Sequence, residues 1–242
     1  MESTYKHHTY YLSIDLGQAN DFTAISIVER ILTRDTPMKY RKELVMHADD
    51  PNRYEKEFNL LHLERPPLGT PYTAIVDRTL ELYDSPKLEG RVKAVVIDTT
   101  GLGTPVYDLM VKANIMRFIN GVTITGGSTV TYELKRGGIR FNVPKRDLVA
   151  ALQLSFQNKE LKIAAGLPNA EIFVHELTNF KVKINVNGHD QYEAHRQGDH
   201  DDLVLSVAMA VWAGQQRRTL TNEVEGVDGK RGEPPKRRWS NY

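Results

Sequence analysis

Val92-Lys93-Ala94-Val95-Val96-Ile97-Asp98-Thr99-Thr100-Gly101 is an apolar run of strand length that stops on an acid and then turns. A strand apolar along its whole length reads as one covered on both faces, in the middle of a sheet with helices above and below. The carboxylate at its end is the exception to that pattern. Burying an unpaired carboxylate costs several kcal/mol, so Asp98 asks for a partner or a task.

Working outward, Tyr10 to Leu16 reads as another strand, with β-branched and aromatic residues before Gly17. Gly17-Gln18-Ala19-Asn20-Asp21 is turn chemistry and Phe22 to Glu29 a strand, which makes an antiparallel hairpin. Lys39 to His47 reads as a further strand, and Tyr54 to Leu63 is ambiguous. Helical spacing covers Pro71 to Tyr83, with Pro71 suited to a first turn. After Asp98 a helix opens at Thr104 or Pro105 and runs to about Ala113. Strands follow at Gly121 to Thr125 and Ile139 to Val143, then a helix that Pro144-Lys145-Arg146-Asp147 begins and that runs to about Gln157, and a short strand at Leu161 to Ala164. Residues 169–180 make an amphipathic helix, and Lys181 to Asn185 with Gln191 to His195 a hairpin across Asn187-Gly188. Asp199 is the expected N-cap of a last helix ending near Gly214, apolar almost all round and therefore buried.

Strands alternating with helices predict an α/β fold, a mixed sheet flanked by helices. The expected organisation is a polar lead-in over 1–9, one domain over 10–214, and a flexible basic tail over 215–242. Residues 217–242 carry seven Lys/Arg against four Asp/Glu and almost no aliphatic residues. The 242 residues are 40% hydrophobic, enough for a packed core, and carry a formal net charge of only +1, so a nucleic-acid surface would be local. With no cysteine, disulfides, zinc–thiolate centres and thiol nucleophiles are excluded. No run approaches the ~18 apolar residues of a membrane span. No Gly-x4-Gly-Lys-Ser/Thr phosphate loop occurs.

Three acidic sites sit where a carboxylate can be aimed: Asp15 and Asp98 at strand ends, and Asp201-Asp202 at a helix start. Open α/β sheets place ligands at strand ends. Each acid also has an ordinary explanation: Asp15 as a turn residue, and Asp201 and Asp202 as helix caps. Brought together, three carboxylates repel unless a cation lies between them, so convergence predicts Mg2+ or Mn2+ and phosphodiester chemistry. At 100° per residue, Asp201 lies near the stripe of Leu205, Ala208 and Trp212, and Asp202 towards Ser206, so either is a candidate ligand. Asp21 is a candidate support for the site. Lys135-Arg136 and Lys145-Arg146 are candidate grips for a DNA backbone. His175 and His195 have no ligand-spaced partner.

Four blocks at these positions resemble the nuclease domain of terminase large subunits, the DNA-packaging enzymes of tailed phages and herpesviruses. They are Ile14-Asp15-Leu16-Gly17 with Asp21-Phe22-Thr23-Ala24; Val96 to Gly103 with Val106-Tyr107-Asp108; Gly198-Asp199-His200-Asp201-Asp202-Leu203-Val204; and, more weakly, Val143 to Val149. The resemblance implies an RNase H-like fold and an endonuclease that cuts concatemeric double-stranded DNA with little sequence specificity during genome packaging. It implies Asp15, Asp98 and one of Asp201 and Asp202 as metal ligands, the second of that pair by analogy. It also implies an ATPase domain, a small terminase subunit and a portal as partners, and the host cell cytoplasm as location. The ATPase half of the family is not represented in these residues.

The expected mechanism has two divalent ions about 3.5–4 Å apart at the scissile phosphate. Asp15 would bridge them, Asp98 would hold one, and Asp202 or Asp201 the other. Three rivals compete with this reading. A Holliday-junction resolvase of the same superfold would prefer four-way junctions. An actin-like kinase would need a second phosphate loop, which is not evident. A non-catalytic DNA-binding packaging component would act through its basic tail.

Overall fold

The structure, a computed structural model, describes residues 2–17, 21–37, 55–91, 93–101, 103–112, 119–135, 138–186 and 200–216. Its centre is an eight-stranded sheet. In chain order the strands are β1 (Glu2–Asp15), β2 (Ala24–Pro37), β3 (Glu55–Glu64), β4 (Lys93–Asp98), β5 (Ile119–Thr125), β6 (Thr131–Lys135), β7 (Gly138–Pro144) and β8 (Leu161–Ile163). The helices are α1 (Tyr72–Tyr83), α2 (Gly103–Lys112), α3 (Lys145–Gln157), α4 (Ala170–Val186) and α5 (Asp202–Gln215).

Across the sheet the order is β6-β7-β5-β4-β1-β2-β3-β8. β1, β2 and β3 form an antiparallel meander. On the other side of β1, β4 and β5 run parallel to it. This is a mixed sheet flanked by helices, as the alternation of strands and helices predicts, with one antiparallel edge strand (β6) and one parallel edge strand (β8).

Alternation along the central strands sorts the core into two layers. Leu12 and Ile14 of β1, with Val95 and Ile97 of β4, pack with α1 and α2. Tyr11 of β1 and Ala94 and Val96 of β4 pack with α3, α4 and α5. Continuing the two-residue period, Asp15 and Asp98 fall on the second face, the one covered by α5.

α5 is buried from Asp202 to Gly214, as its all-round apolar sequence demands. Both of its ends are held by charged side chains from elsewhere. Arg30 of β2 donates to the carbonyl of Gly214 at 2.8 Å. Glu176 of α4 accepts from the N–H groups of Leu203 at 3.1 Å and Val204 at 3.4 Å. A cation at the C-terminus and an anion at the N-terminus complement the helix dipole.

Several expectations need correction. β1 begins at Glu2, so residues 2–9 belong to a strand and not to a polar lead-in. Its pairing with β4 starts only at Tyr10; before that it pairs with β2 alone in a ribbon whose polar residues carry no apolar signature. The ambiguous stretch is β3, where a bulge opposite Ile27 and Val28 leaves Leu61 out of the ladder and exposed. Phe58, Leu60 and Leu63 all point inward, so the spacing changes from two to three and blurs the strand pattern. The expected strand at Lys181 to Asn185 is the last part of α4, which continues to Val186; its partner at Gln191 to His195 lies outside the described residues. The residue at the N-cap position of α5 is Asp201 rather than Asp199, and its side chain makes no capping hydrogen bond. β6 was not expected: it is a short, polar edge strand in which Tyr132 and Leu134 face outward. Lys39 to His47, Asp199, His195 and residues 217–242 lie outside the described residues.

Candidate functional site

Parallel pairing of β1 and β4 sets Ile14 opposite Ile97, so Asp15 and Asp98 leave the ends of neighbouring strands side by side. Neighbouring strands are about 4.8 Å apart, and both carboxylates share the α5 face. A tight turn follows each. An added Cβ on Gly17 would lie 2.1 Å from the carbonyl oxygen of Asp21, and one on Gly103 would lie 2.0 Å from that of Asp98. Only glycine permits those approaches. The turn after Asp98 is tied to β5 by Thr99, whose hydroxyl is 2.8 Å from that of Thr123, and by Thr100, whose hydroxyl accepts from the Ile124 N–H at 2.9 Å. Asp98 itself accepts from the Thr100 N–H at 2.7 Å.

The third acid arrives on α5. Ser206, one turn into the helix, donates within 3.2 Å of both the Ser13 carbonyl and the Ser26 hydroxyl, locking α5 over β1 and β2. Asp202, four residues earlier, shares that side of the helix and lies towards the acid-bearing end of β1. Asp15, Asp98 and Asp202 are 6%, 8% and 8% exposed.

Neither Asp201 nor Asp202 caps α5; Glu176 does. Asp201 accepts from the Lys145 ammonium at 2.7 Å. Asp202 Oδ2 is buried and accepts no hydrogen bond, with Arg65 at 3.6 Å and His200 at 3.8 Å. Arg65 also pairs with Glu176 and stacks over the Phe22 ring at 4.9 Å, and His200 meets the same ring edge-on.

The electrostatics follow from burial. Asp15 is pushed well above the ordinary carboxylate value by desolvation first, then by the charges of Asp98, Asp202 and Asp201, with Lys145 opposing. Asp98 is also raised by burial, against the Thr100 hydrogen bonds and a side-chain hydrogen bond with Asp15. Asp202 is pushed up to about 7 by burial; Arg65 opposes this, and the charges of Glu176, Asp201 and Asp21 add to it.

Among the described residues, no three His, Asp or Glu side chains stand as a ready metal-binding group. Asp201 is drawn to Lys145, and Asp202 lies beside Arg65, so the chain's own cations take up part of the acids' charge. The donor chemistry still fits a hard divalent ion: all oxygen, buried, mutually repelling, with Asp202 Oδ2 orphaned.

The other sequence candidates separate. Lys145, at the first turn of α3, lies among the acids, and its charge acts on both Asp15 and Asp98. Arg146 turns away to the Ser128 carbonyl at 2.9 Å. Asp21 is exposed at the rim. His175 is exposed on α4, 3.5 Å from Asn179. Arg136 and the side chain of Lys135 lie outside what the structure describes. Two residues escaped sequence reasoning. Glu176 shares one helical stripe with Phe173 and Phe180, which marks it as inward-facing. Arg65, directly before Pro66-Pro67, looks like an ordinary loop charge.

No protein-family model matches the chain, and no curated protein matches it in sequence. Among solved structures it is similar to the human cytomegalovirus terminase nuclease domain, at 15% identity and a TM-score of 0.43, over 86% of this chain and 84% of that one. Among the described residues, no helix is long and apolar enough to cross a membrane.

Proposed function

We propose that the protein is a divalent-metal-dependent endonuclease acting on double-stranded DNA with little sequence preference, of the terminase nuclease kind. The observation that supports this reading is the placing of Asp15 and Asp98 at neighbouring strand ends, with the charges of Asp202 and Asp201 reaching Asp15, in a buried setting that disfavours ionisation. Evolution of a purely structural cluster would supply donors to such acids; here one oxygen of Asp202 has none.

Asp15, Asp98 and Asp202 would hold Mg2+ or Mn2+. When bound, such ions activate water and stabilise the leaving oxygen of a phosphodiester. The chain's own residues do the rest. The β1–β4 pairing fixes Asp15 against Asp98, and the Thr99 and Thr100 contacts hold the following turn. Lys145 keeps Asp201 occupied, which makes Asp202 the stronger ligand candidate of the two. Lys145, at the start of α3 beside the site, is a candidate contact for a phosphate backbone, with Arg146, Lys135 and Arg136 as further candidates from the sequence. A terminase ATPase domain, a small subunit and a portal are the partners this function implies.

The test is nicking of supercoiled plasmid in Mn2+ by wild-type protein and by Asp15→Asn and Asp98→Asn. Cutting by the wild type alone supports the assignment; wild-type rates in both variants end it. A four-way junction assayed beside linear duplex separates a resolvase, which would prefer the junction strongly.

A further inference from the structure

The head of α5 presents a problem that the chain solves from a distance. The first N–H groups of a helix have no partner inside the helix, and a buried helix start needs an acceptor. The local solution is a capping side chain at Asp201 or in the first turn. Asp201 makes no such bond. The acceptor is Glu176 of α4, 26 residues before the start of the helix, whose one carboxylate oxygen takes the N–H groups of Leu203 and Val204. Its other oxygen pairs with Arg65, which follows β3. The same guanidinium stands 3.6 Å from Asp202 Oδ2. Glu176 is 5% exposed, and the Phe22 ring under Arg65 closes the group on one side.

We propose that Glu176, acting with Arg65, is a positioning residue of the metal site: by capping α5 and neutralising Arg65, it leaves the Asp202 carboxylate available to a divalent cation. This rests on the metal-dependent nuclease reading above. Without the Glu176 charge, Arg65 has Asp202 as its remaining carboxylate within ion-pair distance and competes with the cation for it. Without the Glu176 oxygen altogether, the first-turn N–H groups of α5 are left to recruit Asp202 or Asp201 as a cap. Either change withdraws Asp202 while Asp15 and Asp98, on separate strands, remain in place.

The experiment is calorimetric titration of Mn2+ into the full chain, for wild type, E176Q, R65Q, R65Q/E176Q and D15N, with thermal melts in EDTA as the fold control. Gln keeps an oxygen for the α5 N–H groups but removes the charge that balances Arg65. Loss of an outer partner of a metal ligand costs roughly 10- to 100-fold in affinity. E176Q is therefore expected to weaken one ion by about tenfold or more, with the other unchanged. R65Q/E176Q, which removes both charges, is expected to recover wild-type affinity within about threefold, a rescue that follows from pairwise coupling of the two charges. A merely structural role predicts a double variant worse than either change alone, and that result overturns the proposal. So does wild-type Mn2+ binding by E176Q in a preparation where D15N has lost it, which leaves the nuclease reading standing. Absence of Mn2+ uptake by the wild type overturns both.

Discussion

One acid in the middle of the β1–β2 pairing and the acids at the end of β1 are built in opposite ways. Opposite Tyr10 of β1, Glu29 of β2 accepts from Tyr10 at 2.7 Å, His8 at 2.8 Å and Asn59 at 3.2 Å. Burial works to raise its pKa, but these hydrogen bonds and the His8 charge outweigh it, and Glu29 is held below the usual value. At the C-terminal end of β1, burial raises Asp15 and its neighbour Asp98, and it raises Asp202 at the start of α5 as well. An acid serving the fold is surrounded by donors that favour its charged form. The acids at the strand ends are left needing positive charge, with Lys145 and Arg65 supplying only part of it.

The widest gap between the two sites should appear in activity. Asp15→Asn or Asp98→Asn should lower Mn2+-dependent plasmid nicking by about 1,000-fold or more, since a metal centre contributes several kcal/mol to the transition state. The melting temperature in EDTA at pH 8 should hold or rise, because a buried like-charge contact is removed. A variant that keeps cutting while losing stability would make the strand-end acids structural after all.

Metal-linked stability is the next largest effect. Mn2+ at 100 times its dissociation constant should add about 2.7 kcal/mol to the folded state. In a domain of this size that raises the melting temperature by roughly 5–10 °C. Asp98→Asn should abolish the rise; an equal rise in that variant would place the ion elsewhere.

Glu29→Ala gives the reciprocal result. Losing a carboxylate hydrogen-bonded by three donors should cost about 2 kcal/mol, read as a lower denaturation midpoint. Plasmid nicking at 25 °C should stay within twofold of wild type, and a large fall would tie the two sites together.

The smallest effect is in pH. Asp202 is raised from 3.8 to about 7, so the folded state keeps a proton that the unfolded chain releases. Its contribution to stability is complete below about pH 4 and is lost as pH rises through 7. Glu29 has the opposite sign: its contribution exists above its ordinary 4.5 and is lost as pH falls through its lowered folded value. Between pH 5 and 8 in EDTA, stability should therefore decline with pH because of the acids that burial raises, Asp202 and Glu176 among them. Asp202→Asn should flatten the slope, and an unchanged slope would remove Asp202 as its source.

How much of this was legible depended on whether a residue's role is local. β4 declared itself because a strand covered on both faces must be apolar throughout, and α5 because a helix buried all round must be apolar all round. Asp15 and Asp98 stood out as acids ending such strands. β3 did not, because the bulge at Leu61 changed its period midway. β6 did not, because an edge strand has little to bury. The hairpin expected after Phe180 failed because Lys181 to Asn185 alternates as a strand would, while the backbone carries α4 on to Val186. The choice between Asp201 and Asp202 was closed to local reasoning for one reason: the residue that caps α5, Glu176, lies on another helix.

The most direct test is a crystal soaked in Mn2+ and measured for anomalous scattering. The account predicts manganese peaks among the carboxylates of Asp15, Asp98 and Asp202. Density that shows those carboxylates ordered, with manganese bound only elsewhere or not at all, would contradict it.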